Sequence, residues 1–375
     1  MATNKREYIA PVAIHPGVML SEWLEEREMT GREFALRSGK PEKTISKILN
    51  GKSRITDDTA ESFSIVTGIP SNYLLRFQAE YDVAIARQSN VNPMENLWDT
   101  FGCLFPYSEM CKAGWIDKKE TKVEKMYCLL SFFGLTTHEA FEMTYSHQMF
   151  GVSFRQVGRS KRTEFGVAAW VRQGQIIADM MSTEREFSVA KAMGEIDNFK
   201  SALMAHDLPL LISLCSNVGI KLVFVENIPK ASTSGAAYWQ GRTPIIQLSG
   251  KGRSLDKLAF NFFHELGHII YKHAKKGFLL DDMEEDSIEK HEMEANEFAS
   301  NHLYKGLKEF STKPTLQEIK EEGRRLGLSP CVVLGHLTHS GLITYPEANT
   351  RYKSLQCPLE TVSYTHLTLP TTPYV

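Results

Sequence analysis

The most restrictive feature of this chain is His264-Glu265-Leu266-Gly267-His268, an H-E-x-x-H pattern inside an apolar run that includes Leu258, Ala259, Phe262, Phe263, Leu266, Ile269 and Ile270. A helix advances about 100° per residue, so side chains four apart return to nearly the same azimuth one turn on. His264 and His268 can therefore reach one ion. Glu265 falls a step round the helix, beside such an ion rather than on it, where its carboxylate can take a proton from water and pass it to a leaving amine. The pattern predicts a core helix that holds zinc (Zn2+), with Glu265 as general base. Gly267 leaves backbone space near the ligand pair.

A catalytic zinc needs a third protein ligand. One solution, a histidine six residues beyond the second, is excluded because Tyr271 and Ala274 stand where that motif needs Gly and His. The other is a glutamate on a following helix, and His291-Glu292-Met293-Glu294-Ala295-Asn296-Glu297-Phe298-Ala299 supplies three. Ala295, Ala299 and Leu303 share a face with Glu292 and Asn296, and small residues there allow close approach to the first helix. This selects Glu292 as ligand, with Glu294 as the alternative, and places Asn296 to hydrogen-bond a ligand histidine. Glu294 and Glu297 are expected to turn more toward water. His273 and His291 could also approach the ion, but a lone histidine at a helix end reads first as a solvated charge or cap. The acidic run Asp281-Asp282-Met283-Glu284-Glu285-Asp286 reads as a solvated loop, with a selectivity element for basic peptides as the alternative. Tyr238, Tyr271 and His339 are all candidates for stabilising an oxyanion, and spacing does not choose among them.

Before the motif, residues 220–225 and 244–249 read as short strands, with 235–239 as a third and Gln240-Gly241-Arg242 as a hairpin turn. An edge strand beside the zinc helix would let an extended peptide add itself as one more strand, its scissile carbonyl over the metal.

The first eighty residues are different in kind. Five helical segments are predicted: His15–Arg27, Gly31–Ser38, Glu42–Leu49, Thr56–Thr67 and Ser71 to about Tyr81. Thr30 and Glu33 form a capping-box pattern, Gly39 suits a helix end, and Pro41 suits a helix start. The second and third segments, joined by a glycine-containing turn, match a helix-turn-helix unit with Leu36, Ile45, Ile48 and Leu49 inside. Lys43, Thr44 and Lys47 would face outward to base edges or phosphates, with Lys52 and Arg54 beyond them. Over residues 32–54 seven basic side chains meet two acidic ones, although the whole chain carries a net charge of −2. That local excess reads as a footprint for DNA.

These residues carry two resemblances. His15-Pro16-Gly17, the run from Ile45 to Lys52, Arg54-Ile55-Thr56 and Asp58-Thr59-Ala60 resemble the XRE/HigA-type, lambda-repressor-like helix-turn-helix of antidotes and regulators. Gly31-Arg32 departs from the more polar opening such proteins often place on the first motif helix. The second half, from Val167-Ala168-Ala169-Trp170 through the H-E-x-x-H and Glu292–Ala299 runs, resembles the ImmA/IrrE family of metallo-endopeptidases. The stretches 326–337 and 341–343 are similar to the C-terminal segment of regulators that fuse the two modules. The resemblance implies zinc-dependent cleavage of a regulatory protein, often a repressor, in phage, mobile-element or stress circuits. It leaves open a non-proteolytic antitoxin or repressor whose zincin-like domain senses a partner or a metal.

Between the modules, helical patterning covers Lys122–Phe133, Thr137–Tyr145, Phe165–Met180 and Phe187–Leu203, punctuated at Gly134-Leu135 and Asp207-Leu208-Pro209. Phe132, Phe133, Phe141, Tyr145, Phe150 and Phe154 read as core. The six cysteines show no paired metal spacing and no signal-like segment opens the chain, which predicts reduced thiols in a cytoplasmic protein. No apolar run is long enough for a membrane span. Val362–Thr371 resembles a translated sequencing adapter, which removes His366 as a ligand candidate.

The expectation is a multidomain protein: an all-α helix-turn-helix bundle over 1–82, a helical connector over 83–215, an α+β zincin-like domain over 216–345, and a tail over 346–375, non-native from about 362. Its expected partners are a palindromic operator, bound as a homodimer, and a protein substrate or regulatory partner.

Overall fold

A computed structural model describes residues 13–145, 161–229, 231, 233–249, 254–273 and 285–357. The chain divides into two compact units between Asn96 and Leu97. The architecture is multidomain α+β, helical at the N-terminus and mostly helical with one small sheet thereafter.

In the first unit, α1 (Pro16–Glu25), α2 (Gly31–Ser38), α3 (Glu42–Leu49), α4 (Asp57–Thr67) and α5 (Ser71–Ser89) enclose a core of Leu20, Phe34, Ile45, Ile48, Phe63 and Leu74. The bounds of α2 and α3 coincide with the predicted ones because local signals set both ends. Gly39 adopts φ 64° just past α2, and Pro41 precedes α3. α5 runs eight residues past its predicted end, to Ser89, for want of a glycine or proline to stop it. Within α5, Gln78 is buried: its Oε1 accepts from the Ile55 amide at 2.9 Å, and its Nε2 donates to Asp82 Oδ1 at 2.9 Å.

Two expectations fail here. Leu36 is 83 % exposed, because α2 turns Phe34, Ala35 and Ser38 inward and Leu36 falls on the opposite side. The Thr30 hydroxyl accepts from the Glu33 amide at 3.2 Å, but the Glu33 carboxylate accepts from Arg37 Nη2 at 2.6 Å instead of closing a capping box. Gly17 is required by packing: a Cβ there would lie 2.0 Å from the Ile48 carbonyl oxygen, so α1 and α3 meet backbone to backbone.

α6 (Val91–Thr100) spans the division. The second unit continues with α7 (Tyr107–Lys112), α8 (Lys122–Phe133), α9 (His138–Tyr145), α10 (Lys161–Asp179), α11 (Val189–Gly194), α12 (Ile196–Met204) and α13 (Leu208–Asn217). The predicted helix over 187–203 is thus two helices, meeting at Glu195 after Gly194. Phe132, Phe133, Phe141 and Tyr145 are buried in an aromatic cluster with Phe101 and Phe105. Phe150 and Phe154 lie outside the described residues.

The sheet contains β1 (Lys221–Phe224), β2 (Gly235–Gln240) and β3 (Thr243–Leu248), in the order β1-β3-β2. β1 runs parallel to β3, and β2 is antiparallel to it, joined by a tight turn in which Gly241 takes φ 61°. Alternate residues serve opposite faces. Leu222, Phe224, Ile246 and Leu248 enter the core around α14 (Leu255–Ile270), whereas Gln247 bonds the Trp170 carbonyl on α10. The sheet therefore lies between α10 and α14.

Beyond α14 come α15 (Glu285–Leu303), α16 (Leu316–Leu326), α17 (Pro330–His339) and α18 (Tyr345–Thr350). The side chains of the acidic run 281–286, and everything from residue 358 on, lie outside the described residues. All six cysteines are unbridged. Among the described residues no helix is long and apolar enough to cross a membrane.

Candidate functional site

α14 is apolar nearly all round, which fits a helix covered on several sides. Leu258, Ala259, Phe262, Phe263, Leu266 and Ile269 are buried, and with them Glu265 and His268. Gly267 brings α15 close: a Cβ there would lie 3.1 Å from Phe298 Cβ and 3.2 Å from Ala295 Cα. Ala295 and Ala299 are fully buried on the other side of that contact. The same face of α15 carries Glu292 and, one turn on, Asn296.

Three side chains converge. His264 Nε2 and His268 Nε2 lie 3.1 Å apart, Glu292 Oε2 is 3.5 Å from His264 Nε2, and Glu292 Oε1 is 3.6 Å from His268 Nε2. His264, His268 and Glu292 form a group able to hold a metal ion. His264 Nδ1 lies 3.0 Å from Asn296 Oδ1, which can only accept, so the imidazole proton sits on Nδ1 and the Nε2 lone pair faces the cluster.

The donor set fits a small divalent cation. Atoms bound tetrahedrally to zinc at about 2.0–2.1 Å stand roughly 3.3–3.5 Å apart, close to the spacings seen here. Glu292 Oε1 and Glu265 Oε2 are buried with no hydrogen-bond partner, an arrangement costly for carboxylates unless a cation or a proton is present. Burial, assisted by the Glu292 charge, pushes the Glu265 carboxyl well above the usual carboxylate range. Burial, then the neighbouring His268, lowers His264 to about 4, against the opposing pull of Glu292. A neutral imidazole is the form that binds a metal.

β2 reaches the same place. A Cβ on Gly235 would lie 2.5 Å from Glu265 Oε1, so the first residue of this sheet-edge strand adjoins the glutamate with no side chain between them.

Several sequence expectations look different in three dimensions. Glu294, at 37 % the more exposed of the two glutamates against 19 % for Glu292, also reaches inward, its Oε2 lying 2.8 Å from His273 Nε2. His273 is no solvated cap, since its side chain is only 5 % exposed and His291 stacks on it at 4.0 Å. Sequence reasoning missed this pair because twenty-one positions of sequence separate its members, leaving no periodicity to link them. Tyr238 is buried and its hydroxyl donates to Gln247 Oε1 at 2.9 Å, so it is engaged on the α10 side of the sheet. Tyr271 is half exposed against Phe298, and His339 stacks on Phe260.

In the first unit, Lys43, Lys47, Lys52 and Arg54 are exposed and Thr44 is half-buried. Arg54 Nη2 pairs with Asp82 Oδ2 at 2.7 Å, and Lys40 pairs with Asp58, so part of the basic excess is matched internally.

Comparison with known proteins agrees with both halves. Residues 20–74 match the helix-turn-helix family, and residues 215–313 match the family described as IrrE N-terminal-like domain. The first match falls within α1–α5 and the second runs from the end of α13 past α15. The chain's IrrE-like domain is metallopeptidase-like and holds the His-His-Glu group on α14 and α15. Among solved structures it is similar to an addiction module antidote protein of a HigA family from Coxiella burnetii, at 30 % identity over 22 % of this chain and 92 % of that one, with a TM-score of 0.21. A putative antidote protein of a plasmid maintenance system from Nostoc punctiforme PCC 73102 is 28 % identical over 22 % and 92 % of the two chains, with a TM-score of 0.22. Comparison with curated proteins finds no match.

Proposed function

We propose that this chain is a DNA-binding transcriptional regulator whose IrrE-like domain is a zinc-dependent endopeptidase acting on a regulatory protein. Residues 1–82 bind the operator in the cytoplasm, 83–215 connect, and 216–345 cut. The observation that carries the reading is the convergence of His264, His268 and Glu292 beside an unpartnered Glu265. The three would hold zinc, with Asn296 fixing the His264 ring.

Bound there, zinc would supply Lewis acidity, polarising a peptide carbonyl and making nearby water more acidic. Glu265 takes the proton from the attacking water at its carboxylate and delivers it to the leaving amine nitrogen, so the peptide C–N bond breaks as the new C–O bond forms. The β2 edge, beginning at Gly235, holds an extended substrate through its backbone, so side chains act second in selection.

Digesting a peptide library with the full chain tests this. Cleavage should appear with zinc, vanish with a chelator and return when zinc is restored; zinc binding with no cleavage of the library or of a co-encoded repressor would leave a non-proteolytic sensor.

On the DNA side, Lys43, Thr44 and Lys47 face base edges or phosphates, with Lys52 and Arg54 at phosphates, and two copies bind a palindrome. Reversing charge at Lys43 and Lys47 should weaken operator binding and reduce the salt-dependence slope by roughly one per lost phosphate contact, read by titration at several salt concentrations. An unchanged slope and affinity would remove α3 from the interface.

A further inference from the structure

Beside the candidate metal group lies a second polar cluster that the proposed chemistry does not use. His273, three residues past α14, has its Nδ1 3.1 Å from His268 Nδ1 and its Nε2 2.8 Å from Glu294 Oε2. Its side chain is nearly enclosed, stacking on His291 at 4.0 Å and on Tyr271 at 5.5 Å. Glu294 also lies 3.9 Å from Lys290 and is about one-third exposed.

Proton placement in this chain of three follows from donor and acceptor rules. A carboxylate only accepts, so His273 Nε2–H donates to Glu294. In a neutral imidazole the other nitrogen is then an acceptor, and His268 Nδ1–H must donate to it. The lone pair of His268 is thereby left on Nε2, the nitrogen that faces His264 and Glu292. His264 reaches the same state by a different route, through Asn296. Either ligand histidine could otherwise place its proton on the wrong nitrogen, and each has a distinct partner that prevents it.

We infer that His273 and Glu294 form a positioning relay that fixes the tautomer and ring orientation of His268, rather than serving as a solvated cap and a spare ligand. The inference rests on the reading of His264, His268 and Glu292 as metal ligands. Glu294 lies beyond His273, so it acts on His268 only through that ring. The carboxylate raises the basicity of His273, whose Nδ1 then accepts more strongly from His268 Nδ1–H and makes His268 Nε2 a better donor to a cation.

The test is zinc affinity of the full chain, measured with zinc alone against a chromophoric chelator, together with histidine-selective NMR of the metal-free protein. Wild type should bind zinc, and Glu292→Ala should lose it. Glu294→Ala and His273→Phe, the second of which keeps a ring to stack, should each weaken zinc binding by roughly 10–100-fold. Glu294→Gln, which keeps an acceptor and removes only the charge, should recover part of that loss. In NMR, wild-type His268 should carry its proton on Nδ1, and Glu294→Ala should show both tautomers with the thermal transition unchanged. Wild-type binding with unaltered affinity in Glu294→Ala and His273→Phe overturns the relay and leaves the metal centre standing. A loss in Glu294→Gln as complete as in Glu292→Ala would make Glu294 a ligand and also overturn it. Failure of wild type to bind zinc, or equal binding by Glu292→Ala, removes the metal centre and the relay together.

Discussion

Glu265→Gln is expected to lower peptide cleavage by roughly 10²–10⁴-fold, the usual worth of a positioned general base, while zinc content stays at the wild-type level. The substitution isolates the proton-transfer role. Glutamine matches glutamate in size, so the packing of α14 against β2 at Gly235 is kept, and Glu265 is not among the three side chains whose donor atoms converge. An amide, however, cannot accept a proton from water and return it to a leaving amine. Folding stability should not suffer: the carboxyl is 3 % exposed with an unpartnered oxygen, and a neutral amide is cheaper to bury there than a carboxylate. The readings are kcat/KM on a peptide the wild type cleaves and zinc stoichiometry on the same sample. Cleavage within a few-fold of wild type, at full zinc occupancy, would exclude Glu265 as the base.

The parts of the molecule readable in the sequence are those set by local signals. α2 and α3 begin and end as predicted because Thr30, Gly39 and Pro41 act within a few residues of the ends they define. The β2–β3 hairpin follows from a glycine turn between two short apolar runs. The face of α15 that meets α14 was legible because Ala295, Ala299 and Leu303 repeat at helical spacing, which brings Glu292 and Asn296 to the histidines.

What was not legible depends on neighbours distant in sequence. Leu36 looks like core by composition, yet tertiary packing chose Phe34 and Ala35. Glu33 had two partners within reach and took Arg37 over the helix-start amide. Rotation about α15 told Glu292 from Glu294, but it could not show that Glu294 meets His273, twenty-one positions away. Gln247 is polar in an apolar strand, a pattern that reads as an error until Trp170 and Tyr238 are seen on either side of it.

That last arrangement sets the largest stability effect expected away from the site. Trp170→Ala should destabilise the second unit by about 3–5 kcal/mol, the usual range for removing a buried aromatic side chain. Trp170 is fully buried on α10, and its Nε1–H donates to the Val225 carbonyl at 2.9 Å, just beyond the end of β1. Its own carbonyl accepts from Gln247 Nε2 at 2.8 Å, and Gln247 Oε1 accepts from Tyr238. α10 can come this close only because Gly174 lacks a side chain; a Cβ there would lie 1.8 Å from Gln247 Oε1. Truncation to alanine therefore opens a cavity and leaves the Val225 carbonyl without its donor, the second costing about 1–3 kcal/mol if no water enters. Trp170→Phe retains most of the ring volume and should lose much less, which separates packing from the hydrogen bond. Denaturant unfolding of the full chain, followed by a signal from the second unit, gives the comparison. A loss below about 1 kcal/mol for alanine would show that α10 does not anchor the sheet, because a wedge this deeply enclosed cannot be removed so lightly from a close-packed layer.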